Sequence, residues 1–83
     1  VSDIEQTGTT ETAKVTQSGT GANNSDVDQD GSSNEATVTQ VSTAGDANTS
    51  TILQAATATN NEATVGQTGE GNASTVTQRG DDG

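Results

Sequence analysis

Asp26-Val27-Asp28-Gln29-Asp30-Gly31 has the spacing for metal chemistry. Oxygen donors at alternate positions ahead of a glycine open a calcium loop, which must close on a bidentate glutamate. The closing position here is Thr37, so no such loop is expected. Weak surface binding of divalent cations is the most these carboxylates predict. Other short motifs dissolve in the same way. Three Asn-x-Ser sequons start at Asn23, Asn48 and Asn72, but one intervening residue puts each Asn and its Ser on the same strand face. Arg79-Gly80-Asp81 spells an integrin-binding tripeptide that, standing alone, carries little information. Thr37 with Thr39, Thr49 with Thr51 and Thr75 with Thr77 form T-x-T pairs of the kind ice-binding solenoids array. Threonine is also an ordinary strand residue. The carboxylates have no partners for general acid–base work in a closed site. With no Cys and no His, thiol, disulfide, imidazole and ordinary zinc chemistry are absent. No catalytic residue, metal site or cofactor is expected.

The bulk properties narrow the field further. Twelve carboxylates face Lys14 and Arg79 alone, a formal charge of −10 over 83 residues. That excludes a basic nucleic-acid footprint. No apolar run approaches the roughly 20 residues of a membrane helix, so no membrane insertion is expected. A hydrophobic fraction of 24 % without one aromatic would place the chain among disordered proteins, unless it repeats.

It repeats. The glutamines are Gln6, Gln17, Gln29, Gln40, Gln54, Gln67 and Gln78, spaced by 11, 12, 11, 14, 13 and 11 residues. Two residues before each stands Ile4, Val15, Val27, Val38, Ile52, Val65 or Val76. Four before, Ser and Ala alternate without exception: Ser2, Ala13, Ser25, Ala36, Ser50, Ala63, Ser74. Six before come Asn23, Asn34, Asn48, Asn61 and Asn72, with Glu11 the departure. Two after come the turn glycines Gly8, Gly19, Gly31, Gly69 and Gly80, whereas Ser42 and Ala56 break the rule. The first copy begins at Val1 without its −6 residue, so a longer parent or a trimmed N-terminus is expected.

Offsets of −6, −4, −2 and 0 share one parity, the mark of a strand with one buried face. Strands are expected near 2–6, 11–17, 23–29, 34–40, 48–54, 61–67 and 72–78, joined by Gly/Ser/Thr turns, in a single repeat domain spanning 1–83. Alternation of Ser and Ala separates odd copies from even ones, which requires two strands per rung. The expected fold is all-β, a two-strand-per-rung parallel β-solenoid of about three and a half rungs in cross-β stacking. Gln would then stack on Gln, Asn on Asn and Val/Ile on Val/Ile. Amides both donate and accept, so such columns satisfy themselves along the axis. Seven aliphatics form a thin core and both ends leave ladders open, so end-to-end self-association into a homopolymer is expected.

The pattern N-x-(S/A)-x-(V/I)-x-Q-x-G resembles the curlin repeat of curli major and minor fibre subunits. Asn34-Glu-Ala36-Thr-Val38-Thr-Gln40 and Gly69-Glu-Gly-Asn72-Ala-Ser74-Thr-Val76-Thr-Gln78 match it closely. The resemblance implies a functional amyloid, secreted through an outer-membrane pore and started by a nucleator subunit at the cell surface. It further implies an extracellular, pilus-like fibre in biofilm matrix and adhesion, with the Asn and Gln columns as inward structural ladders. Glu11, the missing glycines after Gln40 and Gln54 and the lack of aromatics depart from the family pattern. The competing expectation is a soluble, monomeric β-solenoid that binds ice or calcium.

Overall fold

The computed structural model describes residues 1–81. Its strands are β1 (Ser2–Gln6), β2 (Thr12–Gly19), β3 (Asn24–Gln29), β4 (Glu35–Ser42), β5 (Thr49–Gln54), β6 (Glu62–Thr68) and β7 (Ala73–Gln78). Strands consecutive in sequence never pair. Odd strands form one sheet in the order β1-β3-β5-β7, and even strands form another, β2-β4-β6. Every pairing is parallel. The chain is thus a β-solenoid with two strands per rung, and the Ser/Ala alternation separates the two sheets. Its extents of 38 × 16 × 12 Å describe a flat slab, thin because two sheets alone face each other.

Register follows the repeat. Ser2 pairs with Ser25, Ser25 with Ser50 and Ser50 with Ser74, while Ala13, Ala36 and Ala63 align in the other sheet. One residue of slip would turn every inward side chain to solvent, which pins this alignment. Pro is absent from the whole chain, so no strand lacks a ladder donor for that reason.

The core is a thin seam. Val27, Val38, Ile52 and Val65 are buried with Ala36 and Ala63, and Ala13, Val15 and Val76 pack against them half-buried. Ile4, on the outermost strand, is 42 % exposed. Burial here comes from the rungs above and below a side chain, and the end strands have a rung on one side only.

The strands begin one residue later than the −6 position, because the residue there is drawn into the corner by its own side chain. Strands β2 and β4 also run on past their glutamines, to Gly19 and Ser42, which pair with each other. Gly19, expected in a turn, is therefore the last residue of β2, with φ of +101°. An added Cβ there would lie 1.7 Å from the Ser42 carbonyl oxygen of the rung above, so stacking itself demands glycine. Gly8, Gly31, Gly69 and Gly80 lie in bends. Thr9, Ser32, Thr59 and Asp81 form a further ladder of single bridges through successive turns. Thr10, Ser33 and Asn60 adopt positive φ, each just before the −6 residue of an even strand.

Candidate functional site: amide columns and open ends

The glutamines form two continuous columns. In one sheet Gln6 Nε2 donates to Gln29 Oε1 at 2.7 Å, Gln29 to Gln54 at 2.8 Å, and Gln54 to Gln78 at 2.8 Å. In the other, Gln17 donates to Gln40 at 2.8 Å and Gln40 to Gln67 at 2.7 Å. All five bonds run the same way, from the earlier rung to the later one. The second Nε2 hydrogen fixes that direction by reaching across to a backbone carbonyl of the facing layer. Gln29 donates to Thr12 O, Gln40 to Asn24 O, Gln54 to Glu35 O, Gln67 to Thr49 O and Gln78 to Glu62 O. A flipped amide would set oxygen against oxygen at each of these sites. Gln29, Gln40 and Gln54 have no exposed surface, whereas Gln6 and Gln17 at one end and Gln78 at the other are not fully covered.

The asparagines work at the corners. Asn34 Nδ2 donates to Asp30 O in its own turn and to Ala58 O in the rung above, and Asn48 Nδ2 donates to Val41 O and Gly69 O. Asn23, Asn61 and Asn72 donate to Ser18 O, Gly80 O and Thr68 O. Asn34 Oδ1 accepts from the backbone N–H of Asn61, and Asn48 Oδ1 from that of Asn72, both at 3.0 Å. Asn34 and Asn48 so close a turn and fix the next rung's height, whereas Asn23 closes its turn on Ser18 O with its Oδ1 buried and unpartnered. Glu11 fills the same station: its Oε2 accepts the Asn34 N–H at 3.0 Å, while its Oε1 is buried without a partner. The sequence pattern marks Glu11 as a departure, and its acceptor oxygen explains why the column tolerates it. Serines add little, with Ser50 and Ser25 hydroxyls 3.4 Å apart.

The outer surface is polarised along the stack. Asp3 aligns with Asp26 and Glu5 with Asp28 on the first two odd strands, whereas Thr51, Leu53, Thr75 and Thr77 occupy the same tracks beyond them. Partial burial, then the Asp30 and Asp26 carboxylates, raise the Asp28 pKa above its ordinary value. Among the described residues no group of three or more carboxylates is close enough to share a metal ion. The threonines make no continuous array, since the even sheet stacks Thr12 on Glu35 and Glu62, and Thr16 on Thr39 and Gly66. Asp81 of the Arg-Gly-Asp tripeptide is tied down by Thr59 Oγ1 at 2.8 Å.

A parallel solenoid with self-satisfying amide columns defines the class of repeat-built β-solenoids, in which each rung packs on its neighbours. The curlin associated repeat matches residues 12–41, 22–55, 44–69 and 58–83, four overlapping copies that leave only the first strand and turn unmatched. The chain belongs to the curlin-repeat family. No curated protein and no solved structure matches it.

Proposed function

We propose that this chain is a structural subunit of an extracellular, curli-like amyloid fibre, and that its biological work is to stack end to end. The observation that carries this is the complementarity of the two ends. One presents glutamine carbonyl oxygens, on Gln6 and Gln17, and an Ile4 that is 42 % exposed. The other presents the uncommitted Nε2 hydrogens of Gln67 and Gln78, each of which uses one hydrogen on a facing carbonyl. Docking a second copy extends every column, removes the open edges and orders little new chain. Family membership supports the extracellular setting, a role in biofilm matrix and adhesion, and help from a nucleator subunit and an outer-membrane pore. The inward Gln, Asn and Val/Ile columns are then the functional residues, and they are scaffold rather than catalyst.

Fibre diffraction tests the reading: assembled material is expected to give a meridional reflection near 4.7–4.8 Å. Its absence, with no binding of an amyloid dye, would refute the proposal. The same incubation with and without calcium, and a thermal-hysteresis measurement on soluble protein, test the calcium- and ice-binding alternatives.

A further inference from the structure

The asparagine ladder ahead of the even strands has one member that is not an amide. Asn34 and Asn61 occupy the station of Glu11, one and two rungs later. An amide does two jobs there. Asn34 Oδ1 accepts the Asn61 N–H, and Asn34 Nδ2 donates to the Ala58 carbonyl of the rung above at 3.2 Å. Asn61 Nδ2 likewise donates to the Gly80 carbonyl at 2.6 Å. Glu11 does the accepting job, its Oε2 taking the Asn34 N–H at 3.0 Å. Its Oε1 then occupies the donor's place, buried and without a hydrogen-bond partner.

The two corners can be laid over each other. An added Cβ on Gly31 would lie 2.1 Å from the Ala58 carbonyl oxygen and 3.2 Å from Asn34 Nδ2. On Gly8 it would lie 2.1 Å from the Gly31 carbonyl oxygen and 2.4 Å from Glu11 Oε1. An oxygen thus stands where the next rung has nitrogen. Ala58 O accepts twice, from the Ser32 N–H and from Asn34 Nδ2, both at 3.2 Å. Its counterpart Gly31 O accepts the Thr9 N–H at 3.1 Å and faces an acceptor where the second donor should be. A bare carboxylate oxygen against a carbonyl oxygen, closed off from water, is unfavourable. A neutral carboxyl removes the conflict, because like an amide it accepts through one atom and donates through the other. The ionisable residues nearest in chain and register are Glu5 and Lys14 on the flanking strands and Asp30 and Glu35 in the rung above. All four stand at odd offsets from their glutamines, on the outer face, and so do not supply the donor.

We propose that Glu11 is a proton-binding site: Oε1 takes a proton from solvent and donates it in a hydrogen bond to the Gly31 carbonyl, completing the ladder between this rung and the next. The site lies wholly between two rungs of one chain and does not rest on end-to-end stacking. Stability from it is present while the carboxyl holds its proton and is lost as pH rises.

Urea denaturation of the 83-residue chain at a series of pH values tests this. Glu11→Gln carries a permanent donor in place of the proton. Near neutral pH its folding constant is expected to exceed that of the native chain roughly fivefold, the worth of one hydrogen bond, and below about pH 4 the two are expected to converge. Glu11→Ala removes the charge without offering a donor, and Glu35→Gln removes an exposed charge close by, so neither is expected to reproduce the gap. No gap, a gap that persists in acid, or an equal gain in Glu11→Ala or Glu35→Gln overturns the proposal. So does a gap closed at neutral pH by added sodium or calcium ions, which would make the ligand a metal cation. Failure of Glu11→Gln to fold overturns it as well, since that side chain mimics the protonated state.

Discussion

At the scale of single residues, inward and outward positions have opposite consequences. Gln40 accepts from Gln17 and donates to Gln67 and to the Asn24 carbonyl, with no exposed surface. Gln40→Ala strands the buried Gln67 Oε1 and two part-buried partners, Gln17 Nε2 and the Asn24 carbonyl, at ~1–3 kcal/mol each, less what water recovers at the latter two, and a loss of about 3 kcal/mol is expected. Chemical denaturation of fibres and the elongation rate both read it. Asp26→Asn removes one member of the Asp3–Asp26 stack and is expected to speed assembly. Equal rates for the two variants would reverse the inside and outside assignments. Glu11 offers a gain. An asparagine there keeps the acceptor for Asn34 and adds an Nδ2 that can close the turn on Thr7 O, as Asn34 does on Asp30 O. Glu11→Asn is expected to stabilise the chain by roughly 1 kcal/mol, read as a shifted denaturation midpoint.

At the scale of elements, turns are as tightly constrained as strands. Gly31 has φ of +114°, and an added Cβ would sit 2.1 Å from the Ala58 carbonyl oxygen in the next rung. Gly66 faces outward on β6 with nothing within 4 Å. Gly31→Ala is expected to cost on the order of 2–3 kcal/mol through strain and a parted rung, whereas Gly66→Ala is expected to gain about 0.5 kcal/mol by stiffening a strand. Comparing their thermal midpoints checks both. Much of this architecture is legible in the sequence, because parity along a strand and alternation between copies are one-dimensional signals. The two-sheet arrangement follows directly from Ser2, Ala13, Ser25 and their successors. The reach of β2 to Gly19 is not legible, since it depends on Ser42 lying beside it a rung away. The positive φ of Thr10, Ser33 and Asn60 hides because none is glycine. The exposure of Ile4 hides because cover comes from neighbouring rungs, and the (Val/Ile)-x-Gln pattern is the same at every level.

At the scale of the whole molecule, charge is expected to govern the proposed stacking. Each subunit adds a formal charge of −10, so approach at neutral pH is opposed by repulsion that salt screens. The Asp28 pKa is raised by burial and by its acidic neighbours. A raised carboxylate pKa means that the structured state binds the proton more tightly than the unfolded chain does. Stability from this group is therefore fully present below the unfolded pKa and is lost as pH rises through the structured-state value. Assembly is expected to accelerate as pH falls from 7 toward 4. Asp28→Asn is expected to blunt that dependence while raising the rate at pH 7, as dye-binding kinetics across the range would record.

The one-way glutamine ladder gives the solenoid an electrical axis, which the proposed fibre would inherit. Parallel sheets carry little net moment of their own, but an amide contributes about 3.5 D, and every glutamine amide in both columns points its nitrogen toward the later rung. Rotation about the stacking axis leaves the axial component unchanged, so moments add from subunit to subunit whichever way each one faces. A long fibre of the proposed kind would then behave as a macroscopic dipole. It should align in a steady electric field with a torque proportional to its length, and fibres lying side by side should favour antiparallel bundling.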